Sequence, residues 1–182
     1  AVLEASAARI LGTAEARWSR LRPSANGEEE AIAGANAMRR VATADDVGCV
    51  LRVTVSSSIG GEPMHADSAG PITVSFAARA ELAKFEKKGE ASFHVRGGEG
   101  GEARSLVLSK GKLTVKRRGQ TTHAWKVDTG VEVWLDPYDE DKFQLRGAGA
   151  DEVEVRAESA DARNVIALCV RSVARALDVE GE

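Results

Sequence analysis

Aromatic residues are scarce in this sequence. They make up 4% of its 182 residues: three tryptophans, four phenylalanines and one tyrosine. The 43% apolar content therefore rests mainly on alanine, valine and leucine. There are only two cysteines, Cys49 and Cys169, far apart in the chain. That excludes a disulfide framework and fits a reducing compartment. The three histidines, His65, His94 and His123, stand alone, with no His-x-x-x-His or Cys-x-x-Cys spacing that would mark a metal site. Charge of either sign is not in large excess. The net value is −3, which gives bulk charge no pull toward nucleic acid. No apolar run approaches the roughly 18 residues that would span a bilayer as a helix. The N-terminus lacks a secretory pattern and opens in strand-like residues, so we expect a fragment of a longer protein.

What is present is alternation. Residues 1–80 hold eight arginines and no lysine, and all eight lysines fall between Lys84 and Lys142. The change of basic residue marks a boundary that the patterning shares. In the first part, Val2 to Ala5 and Ala8 to Leu11 read as an early strand, and Ala16 to Leu21 as a strand around Trp18. Residues 23–30 read as a polar turn, with short extended pieces at Ala31 to Ala35 and Arg39 to Val41. The clearest strand is Cys49 to Val55, with Cys49, Leu51, Val53 and Val55 on one side and Val50, Arg52 and Thr54 on the other. Ile72 to Val74 is expected to close the unit. Short strands with frequent turn signals predict an all-β sandwich.

Trp18 sits where the core tryptophan of an immunoglobulin-like repeat would, and Asp46-Val47-Gly48 resembles the corner before that fold's penultimate strand. The corner tyrosine and the following cysteine of that pattern are Val50 and Arg52 here. Ile32-Ala33-Gly34-Ala35, Thr43-Ala44-Asp45-Asp46-Val47-Gly48 and Gly61-Glu62-Pro63, in this order and spacing, are more particular. They are similar to the tandem repeats of the microtubule-associated auxin-induced-in-root-cultures proteins of plants and flagellated protists. Those repeats carry a tryptophan strand, an I-x-G-A segment, a T-x-D-D/E-x-G turn and a G-E-P turn. The resemblance covers residues 16–75.

In the second part, residues 76–88 predict a short helical connector, with Phe76, Leu82 and Phe85 at helical spacing, stopped by Gly89. Seven strands follow: 91–96, 104–109, 112–117, 122–127, 131–136, 142–146 and 151–157. Ser159 as a cap and Asp161 in the first turn then open a final helix. Its apolar stripe is Val165, Ile166, Cys169, Val173, Ala176 and Leu177, with Arg163, Arg171 and Arg175 on the remainder. Seven strands closed by one helix is the outline of a pleckstrin-homology-like barrel. Gly89 to Phe93, Ser105 to Ser109 and Phe143 to Leu177 also look like the C-terminal module of the auxin-induced-in-root-cultures family.

The predicted architecture is thus mainly β. Residues 1–75 form an immunoglobulin-like sandwich, 76–88 a helical connector, and 89–182 a pleckstrin-homology-like barrel capped by its C-terminal helix. No nucleophile with a base, no paired carboxylates and no metal-ligand set stands out, so we expect a non-catalytic protein without cofactors. Gly97 to Gly101 is followed by a strand, not by the helix a phosphate loop needs, and Glu99 and Glu102 would repel an anion. The lysine/arginine pattern of inositide-binding members is missing between Arg96 and Arg104. Asp136, Asp139, Glu140 and Asp141 have the carboxylates of a calcium loop without its spacing, so they read as a turn. One positive cluster remains: Lys110, Lys112, Lys116, Arg117, Arg118 and Lys126. It reads either as a solvated edge that resists self-association or as a surface for an acidic partner. The family resemblance implies tubulin or another acidic cytoskeletal protein, in the cytoplasm on the cytoskeleton. The alternative is a membrane-surface adaptor meeting anionic lipid through the same hairpin.

Overall fold

The structure is a computed structural model that describes residues 2–6, 12–23, 27–97, 101–109, 111–127, 130–147 and 151–180, with the backbone alone over 175–180. The expected strand at 8–11 lies outside the described residues. The chain divides into two compact units, Ala1–Ser75 and Phe76–Glu182. The described residues are mainly β.

Among the described residues the first unit has two sheets. Strands β1 (Val2–Glu4) and β4 (Arg39–Val41) form a small antiparallel pair. The larger sheet runs β3-β2-β5-β6, with β2 at Ala14–Leu21, β3 at Glu29–Ala31, β5 at Val50–Ser57 and β6 at Met64–Asp67. Alternation in β2 and β5 dictates the core: Ala16, Trp18, Leu51, Val53 and Val55 all point inward and are buried with Ala42 and Ile72. Trp18 lies among them and donates its indole N–H to the Ala37 carbonyl at 2.8 Å. That bond removes the penalty of hiding a polar tip in an apolar core. Two expectations change. The last strand is Met64–Asp67, whereas Ile72 makes only an isolated bridge to Val47. All four residues of β6 are exposed, so burial imposes no alternation there for a sequence reading to find.

One polar residue is entirely buried in this unit. Asp46 closes the 3₁₀ turn Ala44–Asp46 and has no exposed surface. Its carboxylate accepts from Arg20 Nε of β2 at 2.7 Å and from Arg40 Nη2 of β4 at 3.0 Å. The Thr43 backbone N–H adds a bond at 2.7 Å. The carboxylate thus ties a strand of each sheet to the turn before β5.

The second unit has helix α1 (Phe76–Lys88), seven strands and helix α2 (Ala160–Glu180). The strands are β7 (Glu90–Gly97), β8 (Glu102–Ser109), β9 (Lys112–Arg117), β10 (Gln120–Lys126), β11 (Glu132–Leu135), β12 (Lys142–Arg146) and β13 (Glu152–Ala157). Every pairing is antiparallel, in the order β10-β9-β8-β7-β13-β12-β11. Among the described residues no hydrogen-bonded ladder joins β10 to β11, so the sheet is open there and is not a closed barrel. The Trp125 ring packs on the backbone of Gly147, just past β12, and a Cβ at position 147 would fall inside that ring. Inward residues Leu106, Leu108, Leu113, Val115, Phe143, Leu145 and Val155 are fully buried, as are Ile166, Ala167 and Val170 of α2.

Helix α1 packs against α2 and β7 within this unit, so it is not a free-standing connector. Ala78 and Phe85 are its buried residues, whereas Phe76 is 90% exposed. At about 100° per residue, Phe76 points away from the face that Ala78, Leu82 and Phe85 share. Helix α2 starts as expected, with Ser159 Oγ accepting from the Ala162 N–H at 3.2 Å. Its stripe differs from the expected one. Arg163 is 2% exposed, not solvated, and donates to the carbonyls of Asp136 (3.2 Å) and Asp139 (2.8 Å). Val165 is half-buried, while Ala167 and Val170 are buried.

Removing one partner of a buried ion pair leaves the others uncompensated, which costs about 3–5 kcal/mol. Asp46→Ala takes the carboxylate from Arg40, while Arg20 keeps Glu30 and Asp45, so it should destabilise the first unit by about 3 kcal/mol. Urea unfolding followed by Trp18 fluorescence, with Trp125 and Trp134 replaced by phenylalanine, reads that loss directly.

Candidate interaction surface

Strand register decides what the sequence cluster becomes in space. In a pleated sheet, successive side chains take opposite faces. Lys112, Thr114 and Lys116 share one face of β9 and Leu113 and Val115 the other; on the first face Lys112 is exposed and Lys116 half-buried, while Thr114 between them is buried. On β10, Lys126 stands directly opposite Lys112, Ala124 opposite Thr114, and Thr121 opposite Lys116. On β8, Ser109, Val107 and Ser105 line up with Lys112, Thr114 and Lys116. Lys112, Lys116 and Lys126 are thus gathered on one face, spaced by small and hydroxyl side chains. Two like charges directly opposite each other disfavour the sheet. Lys112 and Lys116 make no ion pair among the described residues, so this face presents positive charge to an anion.

The other members of the cluster lie elsewhere. Arg117 has the opposite parity and pairs with Glu102 of β8, which withdraws it from the face. Arg118 occupies the two-residue turn with Gly119, at φ 50° and φ 81° respectively. Two consecutive left-handed residues are the mark of a type I′ hairpin, where Asn-Gly is favoured. Lys110 lies outside the described residues. Arg96 and Arg104, which flank the glycine-rich loop, face opposite sides of the sheet, and the Arg104 side chain folds over Gly97. Residues 98–100 of that loop lie outside the described residues.

The acidic segment 136–141 is a cross-braced turn. Asp136 Oδ1 accepts from the backbone N–H of Tyr138 (2.9 Å) and Asp139 (3.0 Å), an Asx turn. Arg156 binds both Asp139 and Asp141. A hydrogen bond between those two carboxyls, reinforced by Arg156, holds Asp139 below the ordinary carboxylate range. The same shared bond pushes Asp141 above it. The guanidinium already fills the position a cation would take. No cluster of three His, Cys, Asp or Glu able to hold a metal occurs among the described residues.

The histidines do not converge. His94 is exposed on β7, and His65 Nδ1 lies 3.2 Å from Thr54 Oγ1. The His123 ring stacks on Trp125 at 5.7 Å, with its Nε2 3.9 Å from Asp151. Both cysteines are buried and free. Burial, with Glu81 and Glu86 of α1 adding a smaller effect, pushes the Cys169 thiol up to about 12. Sequence reasoning missed the Arg117–Glu102 pair, because only register brings those residues together.

No family model matches this chain, and no curated protein matches it. Solved structures give partial likenesses. The chain is similar to the pleckstrin-homology domain of human oxysterol-binding protein-related protein 11, with a TM-score of 0.43 and 15% identity over 50% of this chain and 84% of that one. It is similar to inner membrane complex sub-compartment protein 3 of Toxoplasma gondii, with a TM-score of 0.42 and 11% identity over 59% and 90%. A third likeness is to the FERM and C-terminal domain complex of Drosophila Merlin, with a TM-score of 0.43 and 11% identity over 50% of this chain and 31% of that one. Likenesses at these scores assign the chain to none of those families.

Two outcomes follow from the local chemistry. Arg118→Asn places a residue suited to φ > 0 in the turn and should stabilise the second unit by about 1 kcal/mol, read as a higher thermal midpoint. The Cys169 thiol, raised from 9.0 to about 12, favours the protonated folded state. Its stabilising contribution is complete below pH 9 and is lost as pH rises toward 12. At pH 8 the folded Cys49→Ala variant should carry about a thousandfold less thiolate than when unfolded. Ellman's reagent should therefore label it slowly until urea is added.

Proposed function

We propose that the chain is a non-catalytic, two-module segment of a microtubule-associated scaffold whose lysine face meets an acidic cytoskeletal protein. Residues 1–75 are read as an immunoglobulin-like repeat. Residues 89–182 are read as a pleckstrin-homology-like module, with helix 76–88 joined to it. The repeat motifs at Ile32 to Ala35, Thr43 to Gly48 and Gly61 to Pro63 support the family reading. The antiparallel meander β7 to β10, the second meander β11 to β13 and the closing helix support the module reading.

The observation that carries the partner class is the outer face of β9 and β10. Register collects Lys112, Lys116 and Lys126 there, with two lysines directly opposed. A glutamate-rich tail such as tubulin's supplies mobile carboxylates that settle between such lysines without a shaped pocket. Attraction of this kind is long-ranged and weakens as salt rises.

Microtubule co-sedimentation tests the reading. The Lys112→Glu/Lys116→Glu/Lys126→Glu variant should bind at least about tenfold more weakly than the parent chain. Arg117→Glu/Arg118→Glu should have the smaller effect, because Arg117 is withdrawn by Glu102. Unchanged binding by the triple variant removes this face from the mechanism. Pelleting with anionic vesicles but not with microtubules favours the membrane-surface alternative.

A further inference from the structure

The two edges of the larger sheet in the first unit are unlike each other. Strand β3 carries Glu29 and Glu30 side by side, and β4 in the small sheet carries Arg39 and Arg40. Like charges on an edge repel a second copy of that edge. In the second unit, β10 is interrupted by an irregularity between Thr121 and His123, and it carries Lys126. Strand β11 lies against α2, whose Arg171 donates to the Val133 carbonyl at 3.1 Å. Among the described residues, no helix covers the β6 edge, no irregularity breaks it, and its one carboxylate, Asp67, is paired with Arg52. Its sequence, Met64-His65-Ala66-Asp67, holds one histidine and one aspartate, and its register is regular.

Among the described residues, the inward side of β6 is only partly covered. Met64 and Ala66 face the same way as the buried Val55 and Val53 they oppose, yet Met64 is 47% exposed. They border a cavity of about 440 Å³ that Leu3, Trp18, Val53 and Val55 also line. The hydrogen-bond phase of the edge follows from one contact. The Ser68 N–H donates to the Leu51 carbonyl at 2.8 Å, so Ser68 turns its backbone groups toward β5. Backbone groups alternate sides along an antiparallel strand. Those of Ala66 and Met64 therefore also face β5, and those of His65 and Asp67 face outward.

We infer that the β6 edge pairs antiparallel with the β6 edge of a second copy of this chain, with His65 of each opposite Asp67 of the other. Only three registers put outward backbone groups opposite each other. Pairing His65 with His65, or Asp67 with Asp67, makes a single two-bond pair and opposes like residues. The His65–Asp67 register makes two such pairs and opposes a base to an acid at both. Ala66 then meets Ala66 on the two-fold axis as a non-hydrogen-bonded pair, and the apolar sides of the two strands become continuous. His65 Nδ1 is engaged by Thr54, which leaves Nε2 for the partner's carboxylate. Asp67 is already held in place by Arg52 at 2.7 and 3.0 Å, so its position is set before association. A ladder this short is a small interface and gives weak, concentration-dependent association.

A non-hydrogen-bonded antiparallel pair has its Cα atoms about 4.5 Å apart, within disulfide reach. Under mild oxidation at concentrations approaching the millimolar range, Ala66→Cys should form covalent dimers on non-reducing gels. Ile59→Cys, 68% exposed on the preceding turn, should form few. By sedimentation equilibrium the parent chain should show a mass rising toward two copies. His65→Asp should weaken association at least tenfold, and adding Asp67→Lys to it should restore most of the loss. A constant one-copy mass, with Ala66→Cys cross-linking no better than Ile59→Cys, overturns the inference. Association that His65→Asp leaves intact overturns it as well, because the contact then lies elsewhere.

Discussion

A charge taken out of water has to be met by hydrogen bonds from several sides, and each unit is arranged around one such charge. Asp46 has no exposed surface, and its two oxygens accept from Arg20, Arg40 and the turn at Thr43. An isolated buried carboxylate is too costly to persist, so these donors have to arrive together. Arg20 comes from the larger sheet and Arg40 from the smaller one. The spacing of the two layers is therefore set by a polar contact as well as by Trp18 and its neighbours. Arg163 is the opposite case, a buried cation that gathers carbonyl oxygens from the segment between β11 and β12. It fastens the first turn of α2 to that segment. The acidic residues nearby are then free to brace Arg156 instead of holding a metal ion.

Charge counted along the sequence and charge presented on a surface are different quantities. The basic cluster between residues 110 and 126 looks uniform as a string. Pleating divides it. The even-numbered residues of β9 stay on the outer face, whereas Arg117 crosses to the other side and is neutralised by Glu102. The surface that remains is smaller and more regular than the string implied.

Much of the strand pattern was legible because burial imposes a period of two. Cys49, Leu51, Val53 and Val55 read as one face, and all four are buried. The seven strands of the second unit and the Ser159 cap were readable for the same kind of reason, a local rule tied to a local residue. Where the environment imposes no period, the reading failed. Strand β6 is exposed along its whole length, and Phe76 is apolar yet solvated. Arg163 was placed outside because arginine usually is. Only the carbonyls of a segment more than twenty residues earlier make its burial tolerable, and no local pattern announces them. The open line between β10 and β11 is equally silent in the sequence, because it depends on where two strands end in space.

The features that depart from local consistency fall on exposed edges and turns. Lysines opposite each other across β9 and β10, an arginine in the left-handed region at a hairpin tip, and an edge strand exposed along its length are the examples. None of them supports a core. Asp46 and Arg163, which would be far more damaging if left unmet, are supplied with partners. Partners reach both buried charges, although the Nε atoms of Arg40 and Arg163 find no acceptor among the described residues, so the surface departures are not demanded by the core. The departures become explicable if other molecules complete them, an anion over the lysine face and a strand along β6. On the proposed reading, recognition is a property of sheet faces and edges set by register.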